Sequence, residues 1–517
     1  MSCYYSRSQF NQIPRGLLSI RALVCIFCFS SGFISTGQEI LFKNVALKGP
    51  TQGSRGVSMA DLNNDGWLDI VVANQVDSIQ LLGNTIYLNQ GDRFSRQAIS
   101  ENNLQAWSES VHTVDVDNDH DLDFFFTTQF GVPNLLYQND GKGNFAPWQG
   151  GDLTMDRTNS PGACWCDYDL DGDMDVFVVN RDGEADNLYA NDGKGVFTRI
   201  AEGPWVNNKG DGRSCAWGDL NGDGIMDLYI VNFVVKDQQG AVIQKHRNYL
   251  YLGTSSGGFT EEKNGIHVEE ENASYGISIV DFDYDGDLDM YVTNVSISDE
   301  NALYENIGNG KFSKSDNEVA YEIHRPSKGQ AWGDINNDGW LDLYVANGTE
   351  GYPEIQNFMF LGRKDFSMQR VYNALPAIEG HISAGTAMGD LDRDGDLDLY
   401  VCNWGGEAEA NDCYLNLGPT RNWVTFQLQG VESNTYGIGS WVKLSLEDGR
   451  VLTRYFIRET GYGSENAPEV HFGLGDSKIQ KVEIVWPSGT TQSATALEIN
   501  HTYQVIEGKE IKKRNHE

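Results

Sequence analysis

Positive charge is scarce in this chain: 38 Lys and Arg stand against 74 Asp and Glu, a net charge of −36. A surface of that sign repels a phosphate backbone, which excludes nucleic acid as a partner. Long apolar runs are absent after residue 34, so no later segment reads as a transmembrane helix. The cysteines beyond residue 37 are Cys164, Cys166, Cys215, Cys402 and Cys413, too few for a disulfide scaffold. Cys402 and Cys413 fall on neighbouring strands of the last repeat, so one bridge is expected there, with buried free thiols as the alternative. Also missing are a His-Glu-x-x-His zinc motif, a phosphate-cradling P-loop and a dinucleotide fingerprint. Gly253-Thr-Ser255-Ser-Gly257 has the spacing of a hydrolase nucleophile elbow, but it lacks the strand-to-helix setting and replaces a repeated Gly-rich turn.

Residues 1–37 read as a secretory signal peptide. Arg7, Arg15 and Arg21 precede an apolar core from Ala22 to Ile34, and Ser35 and Gly37 are the small residues of a cleavage site. The expected location is therefore secreted or extracellular, periplasmic or cell-surface. Four glycosylation sequons begin at Asn272, Asn294, Asn347 and Asn500, and they matter only in a eukaryotic secretory route.

What the chain has in abundance is aspartate at fixed spacing. Asp167-Tyr-Asp169-Leu-Asp171-Gly172-Asp173-Met-Asp175 carries oxygen side chains at its first, third, fifth and ninth positions and glycine at its sixth. A hard cation such as Ca2+ takes 6–8 oxygen ligands. Carboxylates two residues apart can surround one ion only if the backbone coils between them, and glycine permits that turn. The pattern recurs from Asp61, Asp115, Asp219, Asp281, Asp334 and Asp390, at intervals of 52 to 62 residues. A helix-flanked EF-hand would need a carboxylate at position twelve. Here that position holds Val72, Phe126, Val178, Ile230, Val292, Val345 or Val401 and opens onto an apolar strand, so each loop sits inside a β-hairpin.

Each repeat continues in the same way. The second strand ends at an Asn or Thr, a third carries an aromatic (Tyr87, Tyr137, Tyr189, Tyr251, Tyr304, Phe360, Tyr414), and a Gly-rich turn leads to a Phe. Four strands per unit predict a β-propeller blade. The fold class is therefore all-β: a seven-bladed β-propeller with calcium loops over residues 38–418, then a small β-rich C-terminal domain over 419–508 and a polar tail, 509–517, expected to be disordered. The outer, Phe-led strands are placed at Phe42, Phe94, Phe145, Phe197, Phe259, Phe312 and Phe366, and Phe42 is expected to complete the last blade, which removes two exposed sheet edges.

These loops and their Asn-x-Leu-Tyr-x-Asn-x-Gly-x-Gly-x-Phe followers resemble the FG-GAP/VCBS repeats of integrin α-subunit propellers. The resemblance implies Ca2+, up to seven ions with a structural role, held by side chains at positions one, three, five and nine and by the carbonyl of position seven. Carried onto this chain, the ligands are Asp61, Asn63, Asp65 and Asp69; Asp115, Asp117, Asp119 and Asp123; Asp167, Asp169, Asp171 and Asp175; Asp219, Asn221, Asp223 and Asp227; Asp281, Asp283, Asp285 and Asp289; Asp334, Asn336, Asp338 and Asp342; and Asp390, Asp392, Asp394 and Asp398. His120 replaces glycine in the second loop; histidine is among the residues that tolerate positive φ. The C-terminal segment is similar to the ASPIC/UnbV domain that follows such repeats in exported proteins of the cartilage acidic protein type. The residues that carry this are Gly437-Ile-Gly439, Gly461-Tyr-Gly463-Ser464, His471-Phe-Gly-Leu-Gly475 and Val485-Trp-Pro-Ser-Gly489.

Strand direction puts the calcium loops at one end of the blades and the variable loops between second and third strands at the other. Length variation on a fixed scaffold marks a binding surface; Lys236, His246, Arg247, Tyr352 and Trp404 are its candidates, with solvated loop tips as the plain alternative. Trp165, Trp217 and Trp332 precede loops by two residues, which suits packing between blades better than a sugar platform. The functional expectation is a calcium-binding propeller that binds a protein or glycan ligand, as an adhesion module. The alternative is a polysaccharide lyase or hydrolase with its site on the face opposite the calcium loops.

Overall fold

The computed structural model describes residues 40–47, 53–75, 83–99, 106–236, 242–317, 319, 325–349, 355–405, 409–418 and 421–514. The proposed signal peptide and Tyr352 lie outside them, and no helix among them is long and apolar enough to cross a membrane.

Seven antiparallel sheets follow the repeats, each built on four strands. Blade 1 runs Ser54–Ala60, Asp69–Asn74, Thr85–Asn89 and Phe94–Ala98. Blades 2 to 6 begin at Ser108, Gly162, Gly212, Ser274 and Ser327 in the same inner-to-outer order. Blade 7 takes three strands from the chain's last repeat, Ser383–Gly389, Asp398–Asn403 and Asp412–Asn416, and its outer strand from Phe42–Asn44, with Phe42 opposite Asn416. The inner strands follow one another in a closed circuit, blade 7 returning to blade 1. Second strands such as Asp175–Val179 are buried at every residue, because each sheet is covered on both faces by its neighbours. This is why they read as continuous rather than alternating apolar runs.

Five positions before each loop stands a small residue, Gly56, Ser110, Gly162, Ser214, Gly276, Gly329 or Gly385, and the cause is physical. A Cβ on Gly329 would stand 2.3 Å from the Ala384 carbonyl of the next blade, and one on Gly385 2.5 Å from that of Arg55. The pairing register shifts at the same place in most inner strands, for instance between Ser54 and Gly56. Glycine lets the inner backbones converge on the axis. The three tryptophans pack between blades: Trp165 lies edge-on to Phe125 of blade 2, Trp217 to Phe177 of blade 3 and Trp332 to Tyr291 of blade 5.

The structure departs from the sequence reading in three places. Phe366 does not start a strand; it has a φ of 61°, and the outer strand of blade 6 begins at the buried Met368. Cys402 and Cys413 are free, and the bridge is Cys164–Cys215, joining the inner strands of blades 3 and 4. In the blade 7 register Cys413 faces Tyr400, so Cys402 is its diagonal neighbour. That spacing, about 7–8 Å, is too long for a disulfide. Finally, Lys512–Lys513 pair with Tyr503–Gln504 instead of trailing free.

The C-terminal residues form two further sheets. One has Asn422–Gln429 between Val470–Gly475 and His501–Ile506, and the other has Trp441–Leu446 between Val451–Tyr455 and Ile479–Val485. They enclose a core that includes Phe426, Leu444, Phe472, Ile484 and Trp486. Residues 39–517 nevertheless form one compact unit.

Candidate metal loops and the axial channel

Six of the seven aspartate loops are closed by their own first carboxylate. In loop 1 Asp61 Oδ1 accepts from the Asp65 N–H (3.1 Å) and Oδ2 from that of Gly66 (2.7 Å); loop 3 repeats this with Asp167, Asp171 and Gly172. The sixth residue is left-handed throughout, and His120 adopts it with a φ of 73°. The fourth residue is left-handed as well, at Asn64, Asn118, Leu170, Tyr284, Asn337 and Arg393, a second demand that the sequence pattern does not advertise. Position nine is anchored across the sheet: Asp175 accepts from Asn191 N–H (2.8 Å) and Asp123 from Asn139 N–H (2.8 Å).

These carboxylates are gathered against their own charge. In four loops ligand oxygens of three aspartates lie within 4.8 Å of one another: Asp115, Asp117 and Asp123; Asp167, Asp169 and Asp175; Asp281, Asp283 and Asp285; Asp390, Asp392 and Asp398. Burial, together with the neighbouring carboxylates, pushes the acids up, Asp175 to about 8 and Asp289 to about 9. In each of these four loops one buried oxygen has no hydrogen-bond partner: Asp117 Oδ1, Asp175 Oδ2, Asp281 Oδ1 and Asp392 Oδ1. Converging acceptors with no donor fit a divalent cation, which would satisfy the orphaned oxygens and hold the acids ionised.

In five blades the third strand ends in an asparagine that ties its loop to the loop of the preceding blade. Asn139 Nδ2 donates to Leu122 O (3.0 Å) in its own loop and to Leu62 O (2.8 Å) in loop 1. Asn89, Asn191, Asn306 and Asn416 do the same at their junctions.

The C-terminal domain rests on this face and sends a hairpin into the axial channel. Glu459–Thr460 pair with Ser464–Glu465, and Glu465 adds in parallel to Ser58 of blade 1. The hairpin and the residue after it reach all seven blades. Ser464 Oγ accepts from Val57 N–H (3.1 Å), Gly463 O from Val111 N–H (3.2 Å) and Glu459 from Trp165 N–H (2.8 Å). Gly461 O accepts from Ser214 Oγ (2.7 Å) and Ile277 N–H (3.3 Å). Asn466 donates to Trp332 O (3.3 Å), and Thr460 to Thr386 O (2.9 Å). Gly461 and Gly463 both have positive φ, and a Cβ on Gly461 would stand 2.4 Å from Gln330 N. At the end of the second strand of the hairpin, opposite Glu459, Glu465 accepts from Thr113 N–H and Ser58 Oγ (both 2.9 Å), lies 2.9 Å from His112 Nδ1 and pairs with Arg458 at 3.4 Å. Burial opposes ionisation there, yet Arg458 and His112 hold the Glu465 carboxyl below its ordinary range.

A ring of side chains that sequence reasoning missed lines the far mouth of the channel. It comprises Arg55, Glu109, Arg213, Tyr275 and Lys328, each six residues before its loop, and that shared register was the signal that could have found it. Tyr462 of the hairpin bonds to Glu109 and packs on Tyr275 at 4.6 Å. Trp404 belongs here: Arg55 stacks on it at 3.6 Å, and its Nε1 donates to Gln75 (2.6 Å). Lys236, His246 and Arg247 sit on a different blade. Val234–Lys236 and Val242–Arg247 form an inserted hairpin of blade 4; His246 pairs with Asn272, and Arg247 is ion-paired with Glu261 over the Tyr249 ring.

A closed circuit of sheets with an aspartate loop in every repeat defines an aspartate-loop type of β-propeller, and the chain belongs to the FG-GAP-like repeat family, whose model matches residues 61–126, 115–178, 167–230, 281–345 and 334–401. The ASPIC and UnbV family model matches residues 430–512, which include the channel hairpin. Among individual proteins the chain is similar to cartilage acidic protein 1. It is 22% identical to that of Xenopus tropicalis over 494 residues, covering 88% of this chain and 74% of that protein. It is 21% identical to that of Homo sapiens over 507 residues, covering 88% and 72%. Two solved structures align with TM-scores too low to carry an argument. A structure titled for recognition of non-reducing terminal N-acetylglucosamine by an Agrocybe aegerita lectin gives 0.40 at 16% identity, covering 65% of this chain and 80% of that one. The Dos1 propeller gives 0.41 at 11% identity, covering 73% and 95%.

Proposed function

We propose that this chain is an exported, calcium-stabilised interaction module whose ligand, a protein or a glycan, binds the face opposite the aspartate loops. The observation that supports calcium is the set of four buried carboxylate oxygens, one in each all-aspartate loop, that no donor in the protein satisfies. Side chains at positions one, three, five and nine would hold the ion, which supplies charge neutralisation and no reaction step. The C-terminal domain is seated on the loop face, with Gly473 against loop 6, and its hairpin fills the axis. That leaves the variable face, with the inserted hairpin of blade 4 and Trp404, as the surface for a partner.

The test has two arms. Chelation should lower the melting temperature of the full chain by many degrees, and a melting curve indifferent to chelator would sink the calcium reading. A pull-down and a glycan array, each with and without chelator, should return a ligand lost on substitution of His246 or Trp404. Polysaccharide turnover, seen as falling turbidity and new reducing ends and abolished by the same substitutions, would overturn binding in favour of catalysis.

A further inference from the structure

The sixth aspartate loop is dressed differently from the four all-aspartate loops. It carries three aspartates, Asp334, Asp338 and Asp342, where loops 2, 3, 5 and 7 carry five each. Its oxygens already have donors, and several come from the C-terminal domain. Arg421 Nη1 donates to Asn336 Oδ1 (3.2 Å) and to Asn336 O (3.1 Å), and stands 3.6 Å from Asp338 Oδ2. Gly473 N–H donates to Asp334 Oδ2 (3.1 Å), an oxygen that also accepts from Gly339 N–H (2.7 Å). Arg450 Nη1 donates to the Asp338 carbonyl (2.5 Å). A side chain on Gly473 could not be accommodated, since its Cβ would meet Asp334 Oδ2 and Asn337 Cα at 2.3 Å. The carboxylate and amide at positions five and three therefore face a fixed guanidinium. None of the loop's aspartate oxygens is among the buried atoms left without a partner.

We propose that the guanidinium of Arg421 is the resident cation of loop 6, supplied by the C-terminal domain in place of calcium, so that this loop seats the domain whether or not the other loops are loaded. The inference rests on the calcium reading of loops 2, 3, 5 and 7. A divalent ion placed between Asn336 and Asp338 would meet a positive charge a few ångströms away and be repelled by it. One nitrogen, Nη1, donates to both oxygens of Asn336 and stands 3.6 Å from the Asp338 carboxylate, and a guanidinium keeps its charge at any working pH. It also offsets part of a smaller acidic charge than the all-aspartate loops hold.

The test counts calcium bound to the full chain by equilibrium dialysis against millimolar calcium, with near-ultraviolet circular dichroism to show that each variant is folded. Asp394→Asn, at position five of loop 7, should lower the count by one ion. Asp338→Asn, at the same position of loop 6, should leave it unchanged, and Arg421→Gln should raise it by one. A loss of one ion in both aspartate variants, or a wild-type count in a folded Arg421→Gln, overturns the assignment and leaves the calcium reading of the other loops standing. A wild-type chain that binds no calcium overturns both together.

Discussion

At the scale of the residue, the most consequential side chain is Glu465. It is buried in the channel, and its partners belong to two blades and to its own hairpin: Ser58, His112, Thr113 and Arg458. Glu465→Gln keeps the volume and leaves Arg458 without its counter-charge, a loss of about 3–5 kcal/mol for a buried pair broken on one side. Chemical denaturation of the variant against the parent measures it, and a change within error would show the pair to be ornamental. Asp175→Asn acts at the other kind of site. For a loop with a dissociation constant near 0.1 mM at about 1 mM calcium, loss of the ion removes roughly 1.4 kcal/mol. The calcium-dependent part of the melting shift should shrink by that share, while the melting temperature in chelator stays the same or rises.

At the scale of the element, the junctions between blades are held by short, repeated devices. Asn139 hydrogen-bonds to carbonyls of two successive loops, so Asn139→Ala leaves two buried acceptors short and should cost about 1–3 kcal/mol. The Cys164–Cys215 bridge closes 51 residues of chain between blades 3 and 4. Loop-closure entropy gives it about 4 kcal/mol, so reduction should lower the melting temperature visibly. These devices were unequally legible. The aspartate loops and the third-strand asparagines could be read from spacing, because a repeat prints the same requirement several times. The disulfide could not: bridging depends on which two strands touch across a blade boundary, and Cys402 with Cys413 looked closer along the chain than register allows.

At the scale of the whole molecule, protons and calcium should compete for the same carboxylates, each stabilising the fold at the other's expense. Burial first, then the crowding of carboxylates, raises Asp69, Asp123 and Asp175 to about 8 and Asp289 to about 9 in the metal-free fold. Unfolded aspartate titrates near 3.9. The folded chain therefore takes up protons that the unfolded chain does not, and the metal-free protein gains stability as pH falls from about 9 toward 4. Calcium needs the same carboxylates ionised, so the loaded protein loses its advantage over that window. Melting curves with calcium and with chelator, recorded from pH 8.5 to 5.5, should converge; parallel curves would mean that the loops do not exchange protons for metal.

The sequence by itself determined the all-β class, the repeat and its loops, and the outer strand at Phe42 that completes the last sheet. All of these are local demands: glycine where the chain must turn left-handed, oxygen at alternate positions, apolar runs where a strand is covered on both faces. Only the tertiary structure decided that the C-terminal segment is joined to the wheel through its axis. It also decided that Arg421 answers the charge of loop 6 and that Arg55, Glu109 and Tyr462 meet at the channel mouth. Those contacts join different blades and different domains, as far apart as the 353 positions between Glu109 and Tyr462, and only the packing of the folded chain brings opposite charges together.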